Sequence, residues 1–262
     1  MASSGLGTVV AEVHRLLEVG WEPGFHRLRE TLEFLPSPRR SGDSHFLKLP
    51  PVYFVGGLHQ LRPREFVLFA GLNPNGDERH RRQLEVPFEE YWSWCLGYFS
   101  GPDRSRHYDL HGAFLQGFFG ETITRDSLLA TRAVDVDLCG LASSGGWPEE
   151  QVRLLRAARP RIRRPQLHEM RRSSDYPTFR YSARVFELLA PRAACVVARY
   201  AGTWTALREL YPSTADDAIA VGGRDVPLFC IRNDGRNAPS QASTVVRGLE
   251  ARLRIERGDG WV

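Results

Sequence analysis

The chain has 262 residues, 42% of them hydrophobic and 25% charged, which is typical of an ordinary globular protein able to bury the core of one large domain. Its 35 Lys and Arg against 31 Asp and Glu leave a net charge of +4, which permits a polyanionic partner without requiring one. No apolar stretch is long enough to cross a bilayer and the N-terminal residues lack a basic leader, so we expect a cytoplasmic protein without a membrane partner.

The predicted elements begin with two helices, around residues 8–19 and 25–34, followed by a loop-like segment over 36–50. Four short apolar runs then predict strands buried on both faces, at residues 66–70, 133–139, 194–200 and 226–231. Segments with helical spacing lie between and after them, at residues 88–99, 105–118, 148–158, 178–190, 203–211 and 241–254.

This alternation of strands and helices predicts an α/β fold, a three-layer αβα sandwich around a central, mostly parallel four-stranded sheet. We divide the chain into an N-terminal helical extension, residues 1–50, and an α/β domain, residues 51–262. Ligands of such sheets bind at the carboxyl ends of the strands, which directs attention to residues 71–77, 137–147, 200–204 and 232–241.

The four cysteines are far apart in sequence and form no C-x-x-C pair; they are Cys95, Cys139, Cys195 and Cys230. A zinc site or an iron–sulfur cluster therefore has little support. Because three of the four lie in apolar runs, we expect buried free thiols and no bound metal.

The segment after the first strand reads GLNPNG and has the composition of a rigid loop. Gly71 and Gly76 allow the backbone to turn sharply, and Pro74 restricts the chain between two asparagines. Neither G-x-G-x-x-G nor G-x-x-x-x-G-K-[ST] is present, so the loop is not a dinucleotide fingerprint or a phosphate-binding loop.

The stretch Gly71-Leu72-Asn73-Pro74 resembles the first active-site motif of the uracil-DNA glycosylase superfamily, in particular of its mismatch-specific and single-strand-selective branches. Those branches have a Pro-Phe pair a dozen or so residues later, and Pro87-Phe88 occupies that place. Near the C-terminus the family has His-Pro-Ser, and Ala238-Pro239-Ser240 follows the fourth predicted strand. The resemblance spans roughly residues 66–250 and implies a DNA glycosylase.

The resemblance also implies roles for the matching residues. Asn73 would position the water that attacks the sugar, and Phe88 would stack on the extruded base. The base pocket would be lined by Leu72, Pro74 and Asn75. Read without the family, Asn73 also fits a turn residue that satisfies its own loop, and Phe88 fits a core aromatic at a helix start.

Two positions depart from the family pattern. Asn75 stands where these relatives usually have glycine, which narrows or repolarises the pocket. Ala238 replaces the family histidine, so its contact to the base O2 is missing or is supplied by another group such as Asn237 or His80.

The chemistry gives a second reason to place an amide at this loop. Cleavage of an N-glycosidic bond passes through a transition state with positive charge on the sugar and negative charge on the departing base. Water that attacks an already cationic sugar needs placement more than deprotonation, and the carbonyl of Asn73 can supply that placement.

The second predicted strand reads VDVDLCGLASSGG, with carboxylates in an apolar run. In the family the end of this strand holds an Asn that reads the uracil edge, and Asp137 is the nearest match, with Asp135 as a register alternative. A carboxylate accepts hydrogen bonds and suits the exocyclic amine of cytosine. The small residues at 143–146 leave room for a modified cytosine, such as the hydroxymethylated or glucosylated bases of phage DNA. The alternative is that either carboxylate pairs with an arginine for structural reasons.

Two segments are candidates for contact with the DNA backbone. Basic residues concentrate over 152–172, where Arg163 and Arg164 can bind phosphates, unless this is only a solvated surface. After the fourth strand, Pro239 and Ser240 with the neighbouring Asn237 can hold the backbone while Gln241 fills the gap left by the base. Ser240 also fits an N-cap of the following helix.

Together these observations predict a monomeric, monofunctional DNA glycosylase that needs no cofactor and acts in base-excision repair or anti-phage defence. No lysine stands near the motifs, so a lyase step through a Schiff base is not expected. Two alternatives stay open: a catalytically silent, base-sensing DNA-binding module, and a nucleotide or nucleoside hydrolase, for which the loops lack a clear acid cluster.

Overall fold

The computed structural model describes residues 6–18, 45–47, 49, 51–72, 86–102, 104–119, 122–144, 151, 177–231, 242 and 244–247. Within these ranges five strands form one sheet: β1 Val67–Gly71, β2 Ala133–Asp137, β3 Cys195–Ala198, β4 Ala218–Val221 and β5 Arg224–Cys230. The strand order is β2-β1-β3-β5-β4. All neighbours are parallel except β4, which runs antiparallel to β5 at the edge.

The predicted α/β class with a mostly parallel sheet is confirmed, and the predicted number of four strands is wrong. The four predicted strands lie where the apolar runs indicated, within a few residues at each end. The additional strand is β4, which is joined to β5 by Gly222 and Gly223, both with positive φ. Such a two-glycine connection is a hairpin signal that the sequence carried.

Helices surround the sheet. They are α1 at residues 6–18, α2 Phe88–Gly97, α3 Asp109–Phe119, α4 Arg125–Arg132, α5 Pro177–Leu189 and α6 Ala201–Leu210, and residues 242 and 244–247 are also helical. The helix α4 was not predicted; it begins after Thr124, whose side chain accepts a hydrogen bond from the Ser127 N–H. The predicted helix at 25–34 lies outside the described residues. None of the described helices combines the length and the apolar character needed to span a membrane.

The sheet is buried on both faces because successive strand residues point in opposite directions. On one face, Leu68 and Ala70 of β1 share a core with residues of α1, α5 and α6. On the other, Val67 and Phe69 share a core with residues of α3 and α4. We call these the α5 face and the α3 face. Since α1 packs on the α5 face, the predicted N-terminal extension contributes to the main core, and the domain division at residue 50 stays a prediction.

The outer edge of β2 is covered by the segment that precedes the sheet. Val55 and Asp135 exchange two backbone hydrogen bonds of 2.9 Å, and Phe46 pairs with Ser143 further along. Part of the predicted loop at 36–50 therefore runs antiparallel beside the segment that follows β2. This pairing satisfies backbone groups that an open edge strand would expose.

The direction of the chain across the sheet reverses at β1. From β1 the chain passes to β2 on one side through α2, α3 and α4, and it then returns past β1 to β3 through α5. Of these connecting helices, α3 and α4 pack on the α3 face, whereas α2 and α5 pack on the α5 face. Such a reversal opens a crevice at the carboxyl ends of the two strands beside it, here β1 and β3.

Candidate functional site

Three residues lie side by side at the carboxyl edge of the sheet. The register pairs Gly71 of β1 with Asp137 of β2, and Arg199 follows β3 on the other side of β1. The Arg199 side chain crosses over Gly71, and its Nη2 donates to Asp137 Oδ1. A Cβ added at Gly71 would overlap both the guanidinium and the carboxylate. Glycine at this position therefore allows an arginine on one strand to reach an aspartate two strands away.

The second carboxylate of the strand also faces this arginine. Asp135 Oδ2 lies 3.3 Å from Arg199 Nη1. Only 1% of the Asp135 side chain is exposed, against 8% for Asp137 and 8% for Arg199. We call Asp135, Asp137 and Arg199 the charged cluster. Buried charges are costly unless paired, and here one guanidinium serves two carboxylates.

The helical turn Arg106–Tyr108 and the helix α3 that follows it lie over the charged cluster on the α3 face. Arg199 Nη1 is 3.5 Å from His107 Nε2, and because a guanidinium can only donate, that ring nitrogen must be the unprotonated one. The ring of His111 packs edge-on against Phe69, with centroids 4.3 Å apart. Burial, together with the charge of Arg199, lowers the pKa of both histidines. They are therefore neutral at pH 7 and add no positive charge to the site.

The pKa values of the two carboxyl groups are raised, whereas those of the histidines are lowered. Burial raises the pKa of Asp137 from an ordinary 3.8 to about 7, although Arg199 acts to lower it. Burial also raises the pKa of Asp135, again against the effect of Arg199. Burial lowers the pKa of Arg199, but the two carboxylates outweigh it and the guanidinium stays charged.

These shifts predict how stability depends on pH. The pKa of Asp137 is raised on folding, so its stabilising contribution is fully present below pH 3.8 and is lost as the pH rises to about 7. We expect the free energy of unfolding of the wild type to fall between pH 5 and pH 8 relative to the variant Asp137→Asn, which lacks this titration. Urea denaturation at the two pH values measures the difference. Equal pH dependence in the two proteins would contradict the assignment.

Of the predicted base-contacting residues, Asp137 lies at the carboxyl end of its strand as expected. Asp137 pairs with Arg199, which is the second interpretation of this carboxylate, a structural ion pair with an arginine. Arg199 itself was missed by the sequence reasoning. The signal was an arginine at the end of the apolar run ACVVAR, a position where a charge needs partners.

Leu72 comes directly after β1, and its backbone is tied to the exit of β2. The Leu138 N–H donates to the Gly71 carbonyl at 2.9 Å, and the Cys139 N–H donates to the Leu72 carbonyl at 2.8 Å. The Leu72 side chain packs against the core of the α5 face. Leu72, the residue before Asn73, is thus fixed by backbone contacts to the chain that leaves β2.

Phe88 begins α2 and is half-buried against the same core as Leu72. Its ring lies 5.1 Å from that of His14 in α1 and 6.3 Å from that of Trp92, centroid to centroid. The charged cluster faces the other side of the sheet, so the structure does not bring Phe88 and Asp137 together. These contacts fit a core aromatic, and its stacking role stays a prediction.

The other predicted site residues lie outside the described part of the chain: Asn73, Pro74, Asn75, Arg163, Arg164, Asn237, Pro239, Ser240 and Gln241. Of the small residues after β2, Ser143 is fully buried, and Ser144 Oγ lies 2.7 Å from His45 Nδ1. These two serines are therefore held against the segment that covers β2. Cys95, Cys139 and Cys195 are buried free thiols, as predicted, whereas Cys230 is exposed.

Across the described ranges, no group of three or more His, Cys, Asp or Glu side chains is arranged to hold a metal ion. The fold and site define an α/β protein whose mostly parallel sheet carries a buried Asp–Arg–Asp cluster at the point where the chain reverses. Comparisons with known protein families, with curated proteins and with solved structures find no match to this chain.

Proposed function

We propose that this protein is a DNA glycosylase that hydrolyses the N-glycosidic bond of an extruded pyrimidine and leaves an abasic site. The observation that carries the proposal is the position of Gly71 and Leu72. Gly71 ends β1 at the reversal point of the sheet, beside the charged cluster, and the chain continues through Leu72 directly into Asn73-Pro74. An open parallel sheet binds its ligands at this edge.

The proposed reaction uses placement and electrostatics. Asn73 orients a water molecule toward the sugar carbon as the bond to the base breaks and positive charge develops on the sugar. The departing base carries negative charge, which nearby hydrogen-bond donors and cations stabilise. The product is an abasic site, and the step requires no cofactor.

For the substrate, we propose a modified cytosine in preference to uracil. Arg199 occupies one oxygen of Asp137, and 8% of the Asp137 side chain is exposed. The second oxygen is suited to accept a hydrogen bond from the exocyclic amine of cytosine, whereas uracil presents an acceptor at that position. Arg163, Arg164, Asn237, Pro239, Ser240 and Gln241 are the proposed contacts to the DNA backbone. The protein would act as a monomer in the cytoplasm, in repair or in anti-phage defence.

The activity is tested with purified protein and DNA that carries uracil, cytosine, hydroxymethylcytosine or glucosylated hydroxymethylcytosine. Mass spectrometry identifies the released base, and alkaline cleavage of the strand counts abasic sites. We expect release of a modified cytosine. Efficient release of plain uracil, with modified cytosines untouched, would overturn the proposed substrate.

The variant Asn73→Ala should lose base release by at least about 100-fold, because the attacking water loses its positioning group. Its melting temperature should change little if the amide acts in the reaction. The control is Gln60→Ala, which removes an exposed amide from the helical turn Leu58–Gln60 and should leave release unchanged. Normal release by Asn73→Ala would remove this residue from the mechanism.

A second candidate function is a base-sensing, DNA-binding module without catalysis. It is favoured by Ala238, which replaces the histidine of the family that the chain resembles, and by Asn73, which offers an amide in place of a carboxylate. This alternative predicts selective binding of DNA that carries the modified base, with no base released and no alkali-labile sites formed. The same incubation therefore separates the two functions.

A further inference from the structure

We propose that Asp135 and Asp137 share one proton over Arg199 near neutral pH, and that Arg199, held in this way, is a positioning residue for base release. The shared proton is inferred from the charged cluster alone. Its consequence for catalysis rests on the proposed function. Arg199 would act through the end of β1 and would not itself contact the reacting atoms.

The geometry of the charged cluster sets the charge balance. Both carboxyls come from β2, two residues apart and on the same face of the sheet, and both meet the guanidinium of Arg199. If both were ionised, the buried cluster would carry one uncompensated negative charge, which is expensive away from water. A single proton held by the pair removes that charge, as in other sites where two carboxyls share one location.

Among the described residues, the groups around the pair do not supply a second positive charge. From the turn before α3 come His107 and Tyr108, from α3 comes His111, and Tyr200 lies beside Arg199. Burial lowers the pKa of both histidines and raises the pKa of Tyr108, so all three are neutral at pH 7. Burial likewise raises the pKa of both aspartates, in agreement with a retained proton.

The position of Arg199 couples this proton to the proposed site. The guanidinium lies across Gly71, and the next residue, Leu72, is tied by its carbonyl to the exit of β2. When the pair loses its last proton, Asp135 and Asp137 repel each other and compete for one guanidinium. Gly71 at the end of β1, and Leu72 after it, then lose the fixed geometry from which the chain enters Asn73. Base release should therefore decrease as the pH rises past this ionisation.

The shared proton is tested without any substrate, by carbon-13 NMR titration of the aspartate carboxyls in the full chain. In the wild type we expect Asp135 and Asp137 to report one common titration near neutral pH. In Asp135→Asn the remaining carboxyl faces Arg199 alone and should titrate at lower pH. In Asp137→Asn the remaining carboxyl is that of Asp135, which should also titrate at lower pH. This variant tests the shared proton if Asp135→Asn does not fold. Full ionisation of both carboxyls below pH 5 would overturn the shared proton.

The positioning role is tested by the pH profile of base release. Wild-type release should decline about tenfold per pH unit above the ionisation, because only the singly protonated cluster is competent. Asp135→Asn should retain release at alkaline pH. Arg199→Lys keeps the charge without the forked geometry, so it should lower kcat with little effect on KM. A purely structural role would lower the melting temperature of Asp135→Asn and leave its pH profile like that of the wild type.

The outcomes for the two proposals are distinguishable. If the wild type releases no base from any of the DNA substrates, the proposed function fails and the positioning role fails with it, while the NMR titration still decides the shared proton. If the wild type releases base and Asp135→Asn shows the same alkaline decline, the positioning role fails and the proposed function stands.

Discussion

The variant Arg199→Met should unfold with a free energy about 3–5 kcal/mol below that of the wild type, because it leaves two buried carboxyls without their cation. The loss should be largest at alkaline pH, where both carboxyls are driven to ionise. Urea denaturation followed by circular dichroism, at pH 6 and at pH 8.5, measures the difference. Base release should be lost in the same variant if the guanidinium fixes the end of β1.

Two further variants control this prediction. Arg184→Met removes an arginine that pairs with Glu12 at 2.7 Å on the surface, where 48% of its side chain is exposed. Exposed pairs contribute about 0–1 kcal/mol, so the cost should be small. Combining Arg199→Met with Asp135→Asn and Asp137→Asn should recover much of the lost stability, since no buried charge is then left unpaired. Equal losses for Arg184→Met and Arg199→Met would show that the charged cluster does not hold the sheet edge.

The second large effect is expected for Gly71→Ala. The added Cβ would overlap the Arg199 guanidinium and the Asp137 carboxylate, so at least one of them must move from a buried, paired position. Overpacking of this kind costs about 1–3 kcal/mol. Base release should fall by a larger factor than the loss of folded protein explains, because the displaced groups adjoin the end of β1, from which the chain continues through Leu72 to Asn73. Thermal denaturation and single-turnover release measure the two effects.

The control for this substitution is Gly97→Ala at the end of α2, where an added Cβ meets no heavy atom within 4 Å other than its chain neighbours and the backbone of its own helix. Its stability should be unchanged or slightly higher, since alanine restricts the unfolded chain. The cost of Gly71→Ala should also shrink in an Arg199→Met background, where the guanidinium no longer fills the space. Full additivity of the two substitutions would mean that Gly71 and Arg199 do not interact.

The fold class could be predicted because the buried strands are continuous apolar runs. A strand that faces a core on both sides of a sheet is mostly apolar, as in Val67–Gly71. The strand Ala218–Val221 was missed because four residues give too short a pattern to distinguish from a loop. It is a strand because it pairs with β5, and the sequence signal for that pairing is the turn Gly222–Gly223.

The candidate site was predicted in part. The sequence predicted Asp137 at the end of a buried strand, where a carboxylate needs a partner. An ion pair between this carboxylate and an arginine was one of the two interpretations. It could not identify Arg199 as that partner, because the two residues are 62 positions apart in the chain. Phe88 was placed correctly at a helix start, but the sheet face on which it packs depends on how α2 meets α1.

The sequence by itself determined the alternation of strands and helices, the buried cysteines and the carboxylates at the end of β2, since each follows from local hydrophobicity and side-chain chemistry. The tertiary structure decided which strands are neighbours, and so which charges meet. Arg199 reaches Asp137 only because β1 lies between their strands and ends in a glycine. Strand order depends on the packing of helices on both faces of the sheet, and that information is distributed over the whole chain.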